Sequence, residues 1–91
     1  MKYTYFFRRY SVIIIHIYDY SCVICGLSSA DLEIHHIDKN IENNAGTNLV
    51  PLCKCCHKTL HKNLEVDFSR IIESRSEELK NFDVFRYLHN E

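Results

Sequence analysis

Four of the five cysteines form two C-x-x-C pairs, a spacing typical of the thiolate ligands of a structural zinc ion. Cys22 and Cys25 form the first pair, and Cys53 and Cys56 form the second. Each pair can bind one edge of the tetrahedron that zinc prefers. Two disulfides or four unrelated buried thiols are the alternatives, but disulfide pairing leaves one of five cysteines over. The spacing therefore predicts one four-cysteine zinc site, with Cys55 facing away from it.

A second group of polar residues lies between the two cysteine pairs and directly after them. It contains the adjacent His35 and His36, then Asn48, and then His57 and His61 four residues apart. Four thiolates would close the zinc site and leave no position for a substrate, so the histidines are either structural or serve a second metal ion. Two adjacent histidines followed by two more at helical spacing are unusual for packing alone, which favours a second centre.

The elements that must position these residues follow from local residue types. Residues 34–37 predict a short strand, residues 39–48 an asparagine-rich polar loop, and residues 48–52 a second strand. Pro51 indicates that the second strand is an edge strand or is bent. Residues 54–64 predict a helix, because side chains of one kind recur four residues apart. The predicted order is strand, loop, strand, helix.

The two ends of the chain have different patterns. Residues 1–21 are rich in aromatic and β-branched side chains, which favours a strand, but contain no glycine, proline or asparagine, which permits a helix. Residues 65–91 repeat apolar side chains at a helical period, and a capping box that starts at Ser74 indicates a break between two helices there. We expect a single α+β domain with an N-terminal extension (1–21), a zinc-held core (22–64) and a helical tail (65–91).

Length and composition limit the remaining possibilities. A chain of 91 residues buries only ~60–70% of the surface of its unfolded form, so its core alone is marginal and a metal ion would add stability. A net charge of −1 excludes a strongly basic nucleic-acid binder. The longest apolar run, residues 12–15, is far shorter than the ~20 residues of a membrane-spanning helix, and no signal-peptide pattern is present. These features predict a protein of the reducing cytoplasm that does not enter a membrane.

The order and spacing of these motifs resemble the HNH endonucleases of the His-Me finger, or ββα-metal, group. The resemblance covers about half of the chain, from residue 20 to residue 64. It depends on four segments: residues 19–26, 35–38, 48–50 and 53–57. It implies a strand hairpin and a helix around one divalent cation, and hydrolysis of DNA phosphodiester bonds to 5′-phosphate and 3′-hydroxyl ends.

Carried over position by position, the resemblance assigns a role to each polar residue of the second group. It implies that His36 is the general base that deprotonates water, and that His35 and His57 bind the catalytic cation, magnesium, manganese or a similar ion. His61 would contact the cation or the scissile phosphate, and Asn48 would orient the loop and the strand. Since neighbouring side chains of a flat strand point to opposite faces, His35 and His36 share one cleft only if the strand end bends.

Charge along the chain gives a mixed indication about DNA. Lys54, Lys58 and Lys62 form a basic stripe on the predicted helix and are candidates for phosphate contacts, although a solvated helix face explains them nearly as well. Residues 31–42 carry three net negative charges, which repel DNA. We therefore expect a protein partner or a second subunit to supply target recognition. The alternative function is a non-catalytic zinc module that binds nucleic acid or protein.

Overall fold

The computed structural model describes residues 2–29, 31–62 and 65–89, with side chains described between residues 10 and 84 of these ranges. Within them the chain forms the expected α+β arrangement, a two-stranded antiparallel sheet with four α-helices. In chain order the elements are α1 (Lys2–Ile17), β1 (Glu33–His36), β2 (Leu49–Leu52), α2 (Lys54–Leu60), α3 (Ser69–Ser74) and α4 (Ser76–His89). A turn of 3₁₀-helix, Gly46–Asn48, leads into β2.

The sheet fixes the register of the two polar clusters. Glu33 of β1 pairs with Leu52 of β2, and His36 pairs with Leu49. All four residues of β2 are buried, so this strand is part of the core. Within the described residues, it pairs with β1 along one side only. Pro51 fits this strand as predicted, because the sheet ends at β2 and the missing N–H interrupts no further ladder.

The first segment of the chain is a helix, which resolves the choice that residue types left open. Its buried residues, Tyr10, Ile14, Ile15 and Tyr18, recur at intervals of three or four, so one stripe faces the core. The stripe packs on both strands and on α4, where the ring of Tyr10 meets Phe82 edge to face at a centroid distance of 5.7 Å. A helix can bury β-branched and aromatic side chains on one stripe. Packing of this stripe on the sheet and on α4 therefore outweighs the local preference of these residues for a strand.

The tail is helical as predicted, and it breaks where the capping box indicated. The helices α3 and α4 are separated at Arg75, while residues 65–68 are not helical. The helix predicted over residues 54–64 is shorter in the structure, because α2 ends at Leu60 and residues 61 and 62 form a turn. Residues 63 and 64 lie outside the described part, as do residues 1, 30, 90 and 91. None of the described helices has both the length and the apolar character needed to cross a bilayer.

Candidate functional site

The predicted convergence of the four paired cysteines is confirmed. The sulfur atoms of Cys22, Cys25, Cys53 and Cys56 all lie within 4.8 Å of one another, and Cys25 and Cys53 are separated by 3.8 Å. Four sulfurs at about 2.3 Å from one tetrahedral zinc ion would be about 3.8 Å apart, so the cysteines are close enough together to hold one metal ion. All five cysteines are free thiols, and Cys55 is exposed outside the cluster, as expected.

Short backbone hydrogen bonds build the first cysteine pair as a tight turn. The amide of Gly26 donates to the carbonyl of Cys22 at 2.8 Å, and the amide of Cys22 donates to the carbonyl of Leu27 at 2.9 Å. Gly26 has φ +78°, a conformation in which a side chain is strained. The amide of Val23 donates to the carbonyl of Pro51 at 3.2 Å, which ties this turn directly to β2.

The second cysteine pair lies at the start of α2. The sulfur of Cys53 accepts a hydrogen bond from the amide of Cys56 at 3.4 Å and so caps the helix. Cys53 is buried and Cys56 is half-buried, and α2 packs on both strands. The same residues that gather the sulfurs therefore also set the position of α2.

The pKa values of the thiols in this cluster are shifted in opposite directions. Burial raises the pKa of Cys22, but hydrogen bonds from the backbone of Cys25, Cys53 and Ile24 outweigh it and bring the pKa down to about 6. The pKa of Cys56 is raised far above its ordinary value, first by burial and then by the neighbouring thiols. Backbone donors thus stabilise the thiolate of Cys22. A bound cation would be needed to stabilise the thiolate form of Cys56.

Three of the four central histidines form a second cluster. Ring nitrogens of His35, His57 and His61 lie within 4.8 Å of one another, and the Nε2 atoms of His57 and His61 are 3.2 Å apart. Two imidazole nitrogens on one metal ion would be about 3.0–3.4 Å apart in octahedral or tetrahedral geometry, so these rings also fit a shared cation. The cluster joins β1 to α2, because His35 comes from the strand and the other two residues from the helix and its C-terminal end.

Glu33 fixes the ring of His57. Its Oε1 atom accepts a hydrogen bond from Nδ1 of His57 at 2.8 Å. A carboxylate only accepts, so the proton of a neutral ring is on Nδ1 and the lone pair is on Nε2, the atom that faces His61. A histidine that binds a metal through one nitrogen is commonly held in this way through the other.

His35 is buried against the two helical histidines and is 5% exposed. Burial first, and then the positive charges of His57, His61, His36 and Lys39, lower the pKa of His35 to about 4. The ring is therefore neutral at pH 7, which is the form that binds metal ions.

His36 reaches the same region from the end of β1. A cavity of about 240 Å³ is lined by all four central histidines together with Ile34, Lys39 and Ile41. His35 and His36 thus meet one hollow, although they are neighbours in sequence. Nε2–H of His36 donates to Oδ1 of Asn44 at 3.0 Å, and this tautomer has its basic lone pair on Nδ1.

Asn48 holds the loop between the strands rather than lining the cavity. Its Oδ1 atom accepts from the amide of Asp38, and its Nδ2 group donates to the Asp38 carboxylate and to the carbonyl of Asn43, all at 2.9 Å. Asp38 also accepts from the amide of Asn40 at 2.8 Å, so it begins a turn. Side-chain hydrogen bonds from Asn43 and Asn48 and a backbone hydrogen bond from Asn40 lower the pKa of the Asp38 carboxyl. This network fixes the turn that follows His36.

The three lysines of the predicted basic stripe lie away from this cavity. Lys54 and Lys58 are exposed on α2, and Lys62 is exposed in the turn after it. None of them is among the described residues that line the 240 Å³ cavity or the larger neighbouring one.

Two residues that contact the histidines were not identified as site residues from the sequence. Glu33 precedes His35 by two positions, so the period of a strand could have placed it on the same face. Asn44 is one of several asparagines in a polar loop, and no local pattern distinguishes it from the others.

In comparisons with known proteins, no family model, curated protein or solved structure matches the chain.

Proposed function

We propose that this chain is a metal-dependent DNA endonuclease of the HNH, or His-Me finger, type. The arrangement that carries the proposal is the meeting of His35, His36, His57 and His61 at one cavity, next to a separate cluster of four cysteines. The order of the supporting elements, strand, loop, strand and helix, is the order that a ββα-metal core requires. A purely structural role for the histidines would not need four of them around one hollow.

The three clustered histidines would hold the catalytic cation. His35 and His57 come from facing elements, and His61 is exposed at the outer side of the cluster. A divalent cation held there by these histidines would supply positive charge to stabilise the transition state and the leaving 3′ oxygen. Three protein nitrogens leave coordination positions for water and phosphate, as a catalytic site requires.

His36 would act as the general base. Its hydrogen bond to Asn44 puts the basic lone pair on Nδ1, which can accept a proton from water. The water oxygen then forms a bond to phosphorus while the bond from phosphorus to the 3′ oxygen breaks. The 3′ oxygen takes a proton from solvent, and the products are a 5′-phosphate and a 3′-hydroxyl.

The four cysteines would hold a structural zinc ion. Four sulfurs within 4.8 Å of one another leave no position for substrate once they bind one ion. Zinc binding at such sites is worth ~10–16 kcal/mol apparent at neutral pH, more than a small core supplies alone. The zinc would therefore support the fold, and the histidines would do the chemistry.

The test is cleavage of supercoiled plasmid DNA by the zinc-loaded chain with added magnesium or manganese. The variant His36→Ala should lose activity by ~10²–10⁴-fold, because a positioned general base contributes that much. His16→Ala is the matched control, since His16 is exposed on α1 and lies outside the cluster. Zinc content and the far-UV circular dichroism spectrum should stay unchanged in both variants.

Two results would overturn the proposal. If His36→Ala cuts as fast as the parent, His36 is not the base. If the parent holds one zinc ion but shows neither a second metal site nor nicking with any divalent cation, the chain is the non-catalytic zinc module instead.

A further inference from the structure

Lys39 occupies an unusual place beside the histidine cluster. It lines the 240 Å³ cavity with the four histidines, and it also lines an adjoining cavity of about 580 Å³. His35 and His61 line both cavities too, so Lys39 lies at the junction of the two hollows. Among the described residues, it is the one lysine that borders the histidines in this way.

The backbone of Lys39 is held on both sides. Its amide donates to the carbonyl of His36 at 2.9 Å, which closes a tight turn directly after the proposed base. The amide before it is bound by the side chain of Asn48, and the amide after it by the carboxylate of Asp38. The Cα of Lys39 is therefore fixed relative to His36 while its side chain stays exposed.

This position is conformationally costly for a lysine. Lys39 has φ +64°, in the left-handed region where glycine and asparagine are favoured and other residues cost about 1 kcal/mol. Local structure alone would therefore favour glycine or asparagine, and the strained lysine points to a role for the ammonium group.

The charges around Lys39 suit an anion on the side of the smaller cavity. The described lining of that cavity contains imidazoles, the ammonium group and two isoleucines but no carboxylate. The acidic groups that line the larger cavity, Glu65 and Asp67, belong to the segment before α3, and Asp67 accepts a hydrogen bond from the amide of Ser69. An anion would be attracted to the end of the junction where Lys39 and the histidines lie.

We propose that Lys39 binds a phosphate of the DNA strand that is cut and holds this strand over the histidine cluster. This inference rests on the proposed nuclease function and adds a substrate-binding residue to it. Lys39 would act on binding, through one phosphate contact, whereas the exposed lysines of α2 would contribute only to the general field.

The test measures binding rather than cleavage. Each variant is made in the His36→Ala background, and its affinity for a fluorescent DNA duplex is measured by anisotropy between about 50 and 200 mM salt at a fixed manganese concentration. Lys39→Gln should weaken binding roughly 3- to 10-fold and reduce the slope of log K against log salt by about 1. Lys39→Arg should restore both values, and Lys80→Gln, which removes an exposed lysine of α4, should leave the slope unchanged.

The outcomes separate this inference from the proposed function. Suppose that the chain with His36 intact cuts DNA, but Lys39→Gln in the His36→Ala background does not change the salt slope of binding. Lys39 is then not a phosphate contact, and the nuclease proposal stands. If Lys39→Gln and Lys80→Gln lower the slope equally, the effect is one of total charge and the specific contact is wrong. If the parent neither binds nor cuts DNA, both proposals fall.

Discussion

The cysteine cluster and the histidine cluster are both compact, but they differ in the kind and number of their candidate ligands. In each, the candidate ligand atoms lie within 4.8 Å of one another. Cys22 and Cys53 anchor the cysteine cluster in the core, where they are 2% and 7% exposed, while Cys25 lies at the surface. The histidines open onto two cavities, and His61 is exposed. Four thiolates fill the coordination of one ion and suit an ion that supports the fold, whereas three imidazoles leave positions at which an ion can also bind water and phosphate.

The two clusters are joined through one short helix. Cys56 and His57 are neighbours on α2, which starts at the second cysteine pair and ends at Leu60, directly before His61. The position of the histidines therefore depends on the cysteines, because α2 is seven residues long and too short to be stable alone. The cysteines do not depend on the histidines in the same way. This asymmetry can be tested from both sides.

Removing one buried cysteine should have the largest effect, since it should disable both clusters. Cys53→Ser loses a zinc ligand and changes the atom that caps α2. We expect loss of most of the ~10–16 kcal/mol that such a site supplies, and a chain that is unfolded at 25 °C. Zinc content and circular dichroism measure this outcome.

Cys55→Ser is the matched control for this change. It alters the same residue type two positions away, but Cys55 is exposed and outside the cluster. It should keep zinc, fold and activity. A folded, active Cys53→Ser chain would contradict the dependence of the histidines on the cysteines.

Removing the side chain of Asn48 should damage the histidine side while zinc stays bound. Asn48→Ala deletes three part-buried hydrogen bonds, among them the one to the amide of Asp38, at a cost of about 2–4 kcal/mol in the free energy of unfolding. Urea denaturation measures the loss. Asn81→Ala, on the exposed face of α4, should cost under about 0.5 kcal/mol. Equal stability of the two variants would show that the loop network does not hold the fold.

Neutralising Glu33 should affect the histidine cluster alone. Glu33→Gln weakens the hydrogen bond that orients His57 and removes the charge behind it, so affinity for a second cation should fall ~10–100-fold. Titration of manganese into the zinc-loaded chain, followed by calorimetry, measures this change. Glu42→Gln removes an exposed carboxylate of the loop and should leave the affinity unchanged. If Glu33→Gln also releases zinc, the two clusters are less separate than we propose.

Much of this organisation could be predicted from local patterns. The spacing of the cysteines predicted a cluster whose sulfurs do converge, and short apolar stretches beside turn-prone and polar segments predicted both strands within a residue of their observed ends. The break near Ser74 followed from a four-residue motif, although the hydroxyl of Ser74 donates to the carbonyl of Ile71 instead of forming the expected capping box. Each strand, each cysteine pair and the helix break depends on residues close in sequence. The convergence of the two pairs, with Cys25 and Cys53 28 positions apart, followed instead from the four ligands that one zinc ion needs.

Features that depend on distant partners could not be predicted in this way. The first segment is helical because its apolar stripe packs on β2 and α4, and neither contact is visible in residues 1–21 themselves. Gly46 illustrates the same limit: a Cβ there would lie 3.2 Å from the Leu79 carbonyl, and its amide donates to Asp83 at 2.8 Å. The contact between Asn44 and His36 likewise depends on how the loop folds back on the strand.

The smallest expected effect concerns His35 and the response of stability to acid. The unfolded chain binds a proton at this residue near pH 6.5, whereas the folded chain does not until about pH 4. The unfolded state therefore binds more protons between these values, and the contribution of His35 to stability is complete above pH 6.5 and is lost as the pH falls toward 4. The loss is at most about 1.4 kcal/mol per pH unit for one group.

His35→Gln removes this titration, so the difference in unfolding free energy between the parent and the variant should change in favour of the variant from pH 7 to pH 5. Urea denaturation of both chains with one equivalent of zinc measures this difference. Acid also releases zinc from the cysteines, but this loss of stability is common to both chains and largely cancels in the difference. Asn81→Ala, which removes no titratable group from the exposed face of α4, should show a difference that does not vary with pH. A constant difference for His35→Gln as well would mean that His35 can be protonated in the folded chain, and the cluster would then be more open to water than its burial indicates.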